Sequence, residues 1–524
     1  AAEITRRTNL VRDLVNAAGG LLPLDHLSGR IRAVAPNWLA AASQYTCPSP
    51  GAKPEPIKRP AKGCLRFFLP TRPARGRWRF TFTNREIERL VAGQRSGGEP
   101  CPDVTVAILD TSPERGDVDA STGRYPHNLQ LADLCKAQYV RIDQDPGLSW
   151  PQSYFDRLNG YVPNWRDNLD GKGGTHLDVF FKMPDHGLFA AGIVHDIAPR
   201  CAIHLIRVIG GYGVTDLRAL VPTLEALPRA FLKSDNQRLV VNLSLGFAIP
   251  PGEQLLRAWL KEAYDAIEVD LGGHPDLKSA LDALEQKNRS GVYQALQAYL
   301  DSLHADVQVI IDWINAEKYA LIVAAAGNDT HFFPPPGTIP AGSPRPMRPE
   351  PRWPARYDEA LGVASVGLGG AAANFSNRGD VTQMGNGVAT FGGNASLPTG
   401  SPLVLSSSAP TVPPTMTLGT IDTSSGDPDR IDAAKGLYCS DPVCLGGGKN
   451  ETGWVYWAGT SFSTPVISAL AAALWCEHGA EADCWDFGQV INKIVSLAAA
   501  TGSATDPERL DCPTITARQR FVKG

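Results

Sequence analysis

Val106-Ala107-Ile108-Leu109-Asp110-Thr111 is a run of four apolar residues stopped by a carboxylate. An apolar run this short, without alternation, fits a strand buried on both faces of a parallel sheet. Asp110 then lies just past the strand's carboxyl end, where open α/β sheets hold their ligands. Working outward, the pattern repeats. Residues 104–109, 202–208, 239–243, 320–325 and 361–366 read as strands, and residues 186–195, 216–231, 307–317 and 461–476 read as helices. This alternation predicts an α/β fold, a doubly wound and mostly parallel sheet with helices on both faces.

Three further segments carry polar residues at comparable places. His186-Gly187-Leu188-Phe189-Ala190-Ala191-Gly192 puts an imidazole at the start of a small-residue helix. Ala324-Ala325-Ala326-Gly327-Asn328 sets an amide after glycine, and Gly459-Thr460-Ser461-Phe462-Ser463-Thr464-Pro465 opens a helix with a hydroxyl. Each has a plain structural reading. Asp110 could form a turn, His186 is one of 10 histidines, Gly327-Asn328 is a common turn pair, and Asn328-Asp329-Thr330 also fits a glycosylation sequon. Together they supply acyl transfer. A serine hydroxyl needs an imidazole to take its proton, and a buried carboxylate fixes that imidazole's tautomer and stabilises its charged form. Ser461 is therefore the expected nucleophile, His186 the general base and then acid, and Asp110 the orienting carboxylate. Asn328 is expected to donate to the oxyanion, with the Ser461 backbone N–H as second donor.

The order Asp, His, Ser resembles that of the subtilisin-like serine peptidases, the subtilases, over residues 104–474. The segment from Gly459 to Pro465 is similar to the family motif Gly-Thr-Ser-Met-Ala-Thr-Pro, with Phe462 and Ser463 in place of Met and Ala. Leu188 and Phe189 stand where the family's His-Gly-Thr-His motif has Thr and His, and Ser112-Pro113 replaces a Gly-containing turn. Val241-Asn242-Leu243-Ser244-Leu245-Gly246 resembles the family's substrate-binding strand. The resemblance implies a serine endopeptidase acting on protein or peptide substrates, with Ser244, Leu245 and Gly246 as one edge for the peptide backbone. Ala325, Ala326 and Gly327 would form a small-residue wall of the primary specificity pocket. It implies no cofactor for the chemistry and allows structural calcium, for which Asp117, Asp119, Asp427, Asp429 and Asp432 are loop carboxylates without a complete ligand loop.

Charge is unevenly spread. Residues 1–100 hold 17 Lys/Arg and 7 Asp/Glu, leaving 33 and 47 for the rest of the 524 residues. A basic N-terminal region beside an acidic body predicts that the first docks on the second; a basic arm for nucleic acid or anionic lipid is the rival, and no nucleic-acid reader is found. Residues 1–100 read as a propeptide-like or accessory region, and 101–524 as the catalytic domain. The first region contains an expected helix over 4–17, a Pro/Lys linker over 48–62, apolar runs at 64–69 and 77–83, and a helix over 84–92. Residues 93–100 read as a flexible, cleavable junction. The alternative function is a latent or regulated scaffold, either blocked at its cleft by the N-terminal region or processing one protein partner.

Residues 252–305 read as a helical insertion, and 333–354 as a Pro-rich surface loop carrying Arg345, Arg348 and Arg352 that could also act as a substrate-filtering rim. The uncharged stretch 454–476 is long enough to span a bilayer, but Gly459, Pro465 and its hydroxyls mark a buried helix, so no membrane span is expected. The N-terminal residues lack a secretory apolar segment and an initiating Met, which suggests a mature or trimmed form. Of 10 cysteines, the close pairs Cys439/Cys444, Cys476/Cys484 and Cys47/Cys64 could be disulfides, favouring a secreted or cell-envelope location over a cytoplasmic one.

Overall fold

The structure, a computed structural model, describes residues 39–42, 55–56, 75–142, 148–151, 153–155, 185–211, 213–247, 305–332, 348–367, 370–373, 375–380, 385–393, 417–420, 454–478, 485–499 and 510–523. The helix expected over 4–17, the linker over 48–62 apart from two residues, the run at 64–69, nearly all of the 252–305 insertion, and residues 333–347 lie outside them.

Strands are numbered along the chain. β1 (Leu39–Ala42), β2 (Glu55–Pro56) and β3 (Gly76–Phe82) precede the main sheet. That sheet contains β4 (Cys101–Asp110), β5 (Val140–Ile142), β6 (Cys201–Arg207), β8 (Arg238–Leu243), β10 (Ala320–Ala325), β11 (Ala360–Val366), β12 (Gly387–Phe391) and β15 (Thr514–Ile515). The remaining strands are β7 (Val214–Asp216), β9 (Leu245–Phe247), β13 (Thr417–Thr420), β14 (Trp454–Trp457) and β16 (Ala517–Lys523). The main sheet runs β15-β12-β11-β10-β8-β4-β6-β5, and every pairing in it is parallel. From β4 the chain first builds one edge and then, from β8, the other. The β4/β8 boundary is thus the topological switch point, where crossovers diverge and leave a crevice at the strands' carboxyl ends. Asp110 ends β4 and Ser244 follows β8, one on each side of that boundary.

Helices α1 (Arg85–Arg95), α2 (Arg115–Arg124), α3 (Leu129–Lys136), α4 (His186–Ile197), α5 (Leu217–Phe231), α6 (Ala305–Ala316), α7 (Thr460–His478) and α8 (Phe487–Leu497) cover the sheet. The five strands and four long helices read from the sequence are all present, with ends shifted by at most a few residues. α7 is buried at every position from Thr460 to Trp475, which explains its lack of a polar face. It crosses the sheet from β4 to β12 and packs along α4.

Residues 76–95 are built into the same body. β3 pairs antiparallel with β16, from Phe82 opposite Ala517 to Gly76 opposite Lys523. Asn84 caps α1, its Oδ1 accepting from Glu86 N at 2.9 Å, while its Nδ2 donates to Leu497 O at 2.8 Å. Buried Asp196, near the end of α4, accepts from Phe80 N at 2.8 Å and from Arg95 Nη2 at 2.7 Å. Gly93, Gln94 and Arg95, read from sequence as the start of a flexible junction, instead close α1.

One cysteine pairing is corrected. Cys476 is bonded to Cys101, not to the neighbouring Cys484, because the end of α7 lies over the start of β4. The other two sequence-proposed pairs lie outside the described residues. Among the described residues no helix is long and apolar enough to cross a membrane.

Candidate active site

Asp110 is fully buried and accepts from its neighbour Thr111 N at 2.6 Å. His186 opens α4 directly opposite, and its Nδ1 lies 2.8 Å and 2.9 Å from the two Asp110 oxygens. The approach depends on the next residue. A Cβ on Gly187 would come 2.1 Å from Thr111 O and 2.8 Å from Asp110 Cβ, so any side chain there would force α4 off the strand end. The Gly187 N–H donates to Thr111 Oγ1 at 3.1 Å, fixing the helix start.

The other face of the imidazole meets α7. The His186 ring centroid is 5.1 Å from that of Phe462, and Phe462 also packs on Phe189 at 4.5 Å. Phe462 is therefore a wedge that seats the His186 imidazole beside the first turn of α7. Ser461, in that turn, is fully buried, and its Oγ donates to Ser244 O at 3.1 Å. In return Ser244 Oγ donates to Ser461 O at 2.8 Å. Asn242 Nδ2 donates to Ser244 Oγ at 3.0 Å, and Ser468 Oγ donates to Asn242 Oδ1 at 2.9 Å. This chain of side-chain bonds ties α7 to the end of β8.

Asn328 follows β10 and is 2% exposed. Its Oδ1 accepts from both Thr460 N and Thr460 Oγ1, each at 3.0 Å. With the carbonyl oxygen so held, the amide nitrogen is turned toward Gly459, 3.4 Å from where a Cβ would stand. Gly327 has φ +108, and a Cβ there would meet Asn377 Nδ2 at 2.7 Å, so only glycine allows this turn.

Beneath the turn is a polar cluster that sequence reading missed. Arg352 Nε and Nη2 donate to the two Asp329 oxygens at 2.7 Å and 2.6 Å, and Arg352 Nη1 donates to Phe247 O at 3.0 Å. Asn377 Nδ2 adds a bond to Asp329 Oδ2 at 2.8 Å. Arg352 thereby couples the Asn328 turn to β9. The reading of Arg348 and Arg352 as loop-surface residues is corrected: they are 5% and 7% exposed, because each guanidinium satisfies inward-facing oxygens. A basic residue two positions before the cis-linked Pro354 offered no signal of this role.

Ser244 lies at the site, and Leu245 and Gly246 form β9 beside it. Ala325 closes β10, and Ala326, which accepts from Arg352 N at 2.8 Å, packs with Ala364, Val366 and Ala389. Both alanines are fully buried. β9 is not an open edge. β1 runs antiparallel between β7 and β9, with Ala40 opposite Phe247, Ala41 opposite Gly246 and Ala42 opposite Leu245.

A family model described as the subtilase family matches residues 102–486. The chain belongs to the subtilase family. It is a subtilisin-like serine peptidase, and its eight-stranded parallel sheet is the fold expected of that family. No curated protein matches the chain. Two solved structures are similar to it at 15% identity. One, described as a lanthipeptide protease, has a TM-score of 0.43 and covers 82% of this chain and 92% of its own. The other, the prenylagaramide maturation protease PagA, has a TM-score of 0.42 and covers 82% and 95%.

Subtilase chemistry takes no cofactor. For calcium, Asp119 is a poor fit, since its Oδ1 already accepts from Arg115 Nε at 3.0 Å. Asp427, Asp429 and Asp432 lie outside the described residues. Among the described residues no group of three His, Cys, Asp or Glu side chains is disposed to hold a metal ion.

Proposed function

We propose that this subtilase is a serine endopeptidase in which Ser461 attacks the scissile carbonyl, His186 takes its proton and returns it to the leaving amine, and Asp110 holds the imidazole. The observation that carries this reading is a buried imidazole gripped on one nitrogen by both Asp110 oxygens, beside the helix turn that bears Ser461. With Nδ1 committed, Nε2 is left as the basic nitrogen. Rotation about the single Ser461 χ1 torsion, with staggered wells close in energy, would carry Oγ from Ser244 O toward the base. Asn328 Nδ2 and the backbone N–H at the start of α7 would hold the oxyanion, aided by the helix terminus. A fluorophosphonate probe tests the reading, since it should label wild type and leave Ser461→Ala unlabelled.

Asn328→Ala should lower turnover by roughly 10²–10³-fold with little change in KM, a magnitude for which subtilisin itself is the reference. Steady-state kinetics on a peptide substrate would check this, and an unchanged kcat would remove Asn328 from the oxyanion role.

A specific observation favours latency of the full chain. A peptide substrate binds this family's edge strand by backbone pairing, and β1 already uses that edge of β9. The basic N-terminal region would thus dock on the acidic body through the backbone pairing of β1 with β9. Removing residues 1–74 keeps β3 and should raise the rate of probe labelling. The expected rise is roughly tenfold or more, the effect of about 1.4 kcal/mol of strand pairing. Ala41→Pro, which deletes a strand N–H, should act in the same direction. Equal labelling rates in all three proteins would remove the latency reading. The Cys101–Cys476 bond supports an oxidising, secreted or cell-envelope setting.

A further inference from the structure

Cys101 and Cys201 occupy the first positions of two adjacent parallel strands, β4 and β6, and face each other in register. The end of α7 lies over both. Cys476 is bonded to Cys101, and its Sγ is 3.4 Å from the Cys201 Sγ, close to sulfur–sulfur contact. Cys201 carries a free thiol and is 1% exposed. Three sulfurs are thus gathered at one end of the sheet, opposite the end that holds Asp110 and Ser461.

We propose that these three cysteines form an internal thiol–disulfide exchange site, in which Cys476 bonds to either Cys101 or Cys201. In the exchange, the Cys201 sulfur attacks Cys476 Sγ as its proton leaves. The Cys201–Cys476 bond forms, the Cys101–Cys476 bond breaks, and Cys101 departs as a thiolate that takes up a proton. Nothing is oxidised or reduced overall, so no outside reagent is needed. The two attacking sulfurs sit opposite each other on neighbouring strands, ahead of an irregularity in β4 between Cys101 and Thr105, so the sheet does not have to shift. Both bonds close loops of several hundred residues, and loop entropy grows only logarithmically with length, so neither partner is strongly preferred on that ground.

The exchange moves a tether. Bonded to Cys101, α7 is tied to the residue that joins α1 to β4; bonded to Cys201, it is tied to the strand that follows α4. Burial pushes the Cys201 thiol up to about 12, against the pull of Arg200, so the thiolate is scarce at neutral pH and the exchange is slow. Acid quenching therefore preserves whichever pairing is present.

The test is peptide mapping without reduction, which reads covalent linkage independently of peptidase activity. Wild type is held under mildly alkaline conditions, acid-quenched and digested; peptides linked Cys101–Cys476 and Cys201–Cys476 should both be found. Cys101→Ser, equilibrated with oxidised glutathione as the two-electron acceptor, should form the Cys201–Cys476 bond and lose both free thiols. Cys201→Ser should retain Cys101–Cys476 alone. Wild type that shows only Cys101–Cys476 after alkaline incubation would overturn the proposal. So would a folded Cys101→Ser protein in which Cys201 and Cys476 both remain alkylatable after unfolding.

Discussion

Ser461→Ala is expected to lower peptide turnover by on the order of 10⁶-fold, as removal of the equivalent hydroxyl does in subtilisin, the measured reference for this triad. His186→Ala should cost about as much, because nucleophile and base act as one unit and either loss disables both. The double variant should then be little worse than either single one, a non-additivity that independent contributions would not produce. Stability should change far less than rate. Ser461 Oγ donates to Ser244 O, and Ala fits the space it leaves. Single-turnover kinetics alongside thermal unfolding would separate the effects. Wild-type-like turnover in either variant would end the triad assignment, whereas loss of rate together with loss of the folded state would show that the bond to Ser244 is structural.

Arg352→Ala is expected to destabilise the fold by about 3–5 kcal/mol, the usual cost of leaving one member of a buried ion pair uncompensated. Asp329 is 1% exposed and receives two of its bonds from this guanidinium. Turnover in the surviving folded fraction should also fall, since Asp329 adjoins Asn328 and Arg352 is what joins that turn to Phe247 O. Arg352→Lys should restore only part of the stability, because an ammonium cannot form the two-pronged contact. Combining Arg352→Met with Asp329→Asn removes both charges and should recover most of the loss. Urea unfolding of wild type and the three variants would measure these differences. A cost below about 1 kcal/mol for Arg352→Ala would mean that water or a shifted side chain replaces the guanidinium.

Much of the fold could be read along the chain because parallel sheets announce themselves. Residues 320–325 were expected as a strand and are β10; 361–366 fall within β11, and Asp216 caps the helix expected from that point. Burial on both faces demands runs such as Leu-Ile-Val, and such runs have few other uses in a soluble protein. The candidate catalytic residues were legible for a related reason. Each ends a strand or begins a helix in a short motif that chemistry constrains, and glycines such as Gly187 and Gly327 mark where backbones must approach closely.

The N-terminal hundred residues were harder. The segment 84–92 was read as a helix, and Asn84 does cap α1, but nothing local signals that β3 pairs with β16 more than 430 residues away. The same holds for Cys476, whose nearest cysteine in sequence is not its partner. Arg352 was misplaced outward because prolines and basic residues ordinarily mean exposed loop, and the oxygens that hold it inward come from β9 and from Asp329.

The sequence by itself determined the sheet, the crossing helices and the four short motifs, because burial and reaction chemistry restrict which residue types those places accept. Only the tertiary structure decided that β1 occupies the edge of β9, that Cys476 meets Cys101 and Cys201, and that Arg352 braces the Asn328 turn. Those contacts rest on backbone hydrogen bonds, which any residue can make, and on sulfurs and charges whose partners lie far off in the chain.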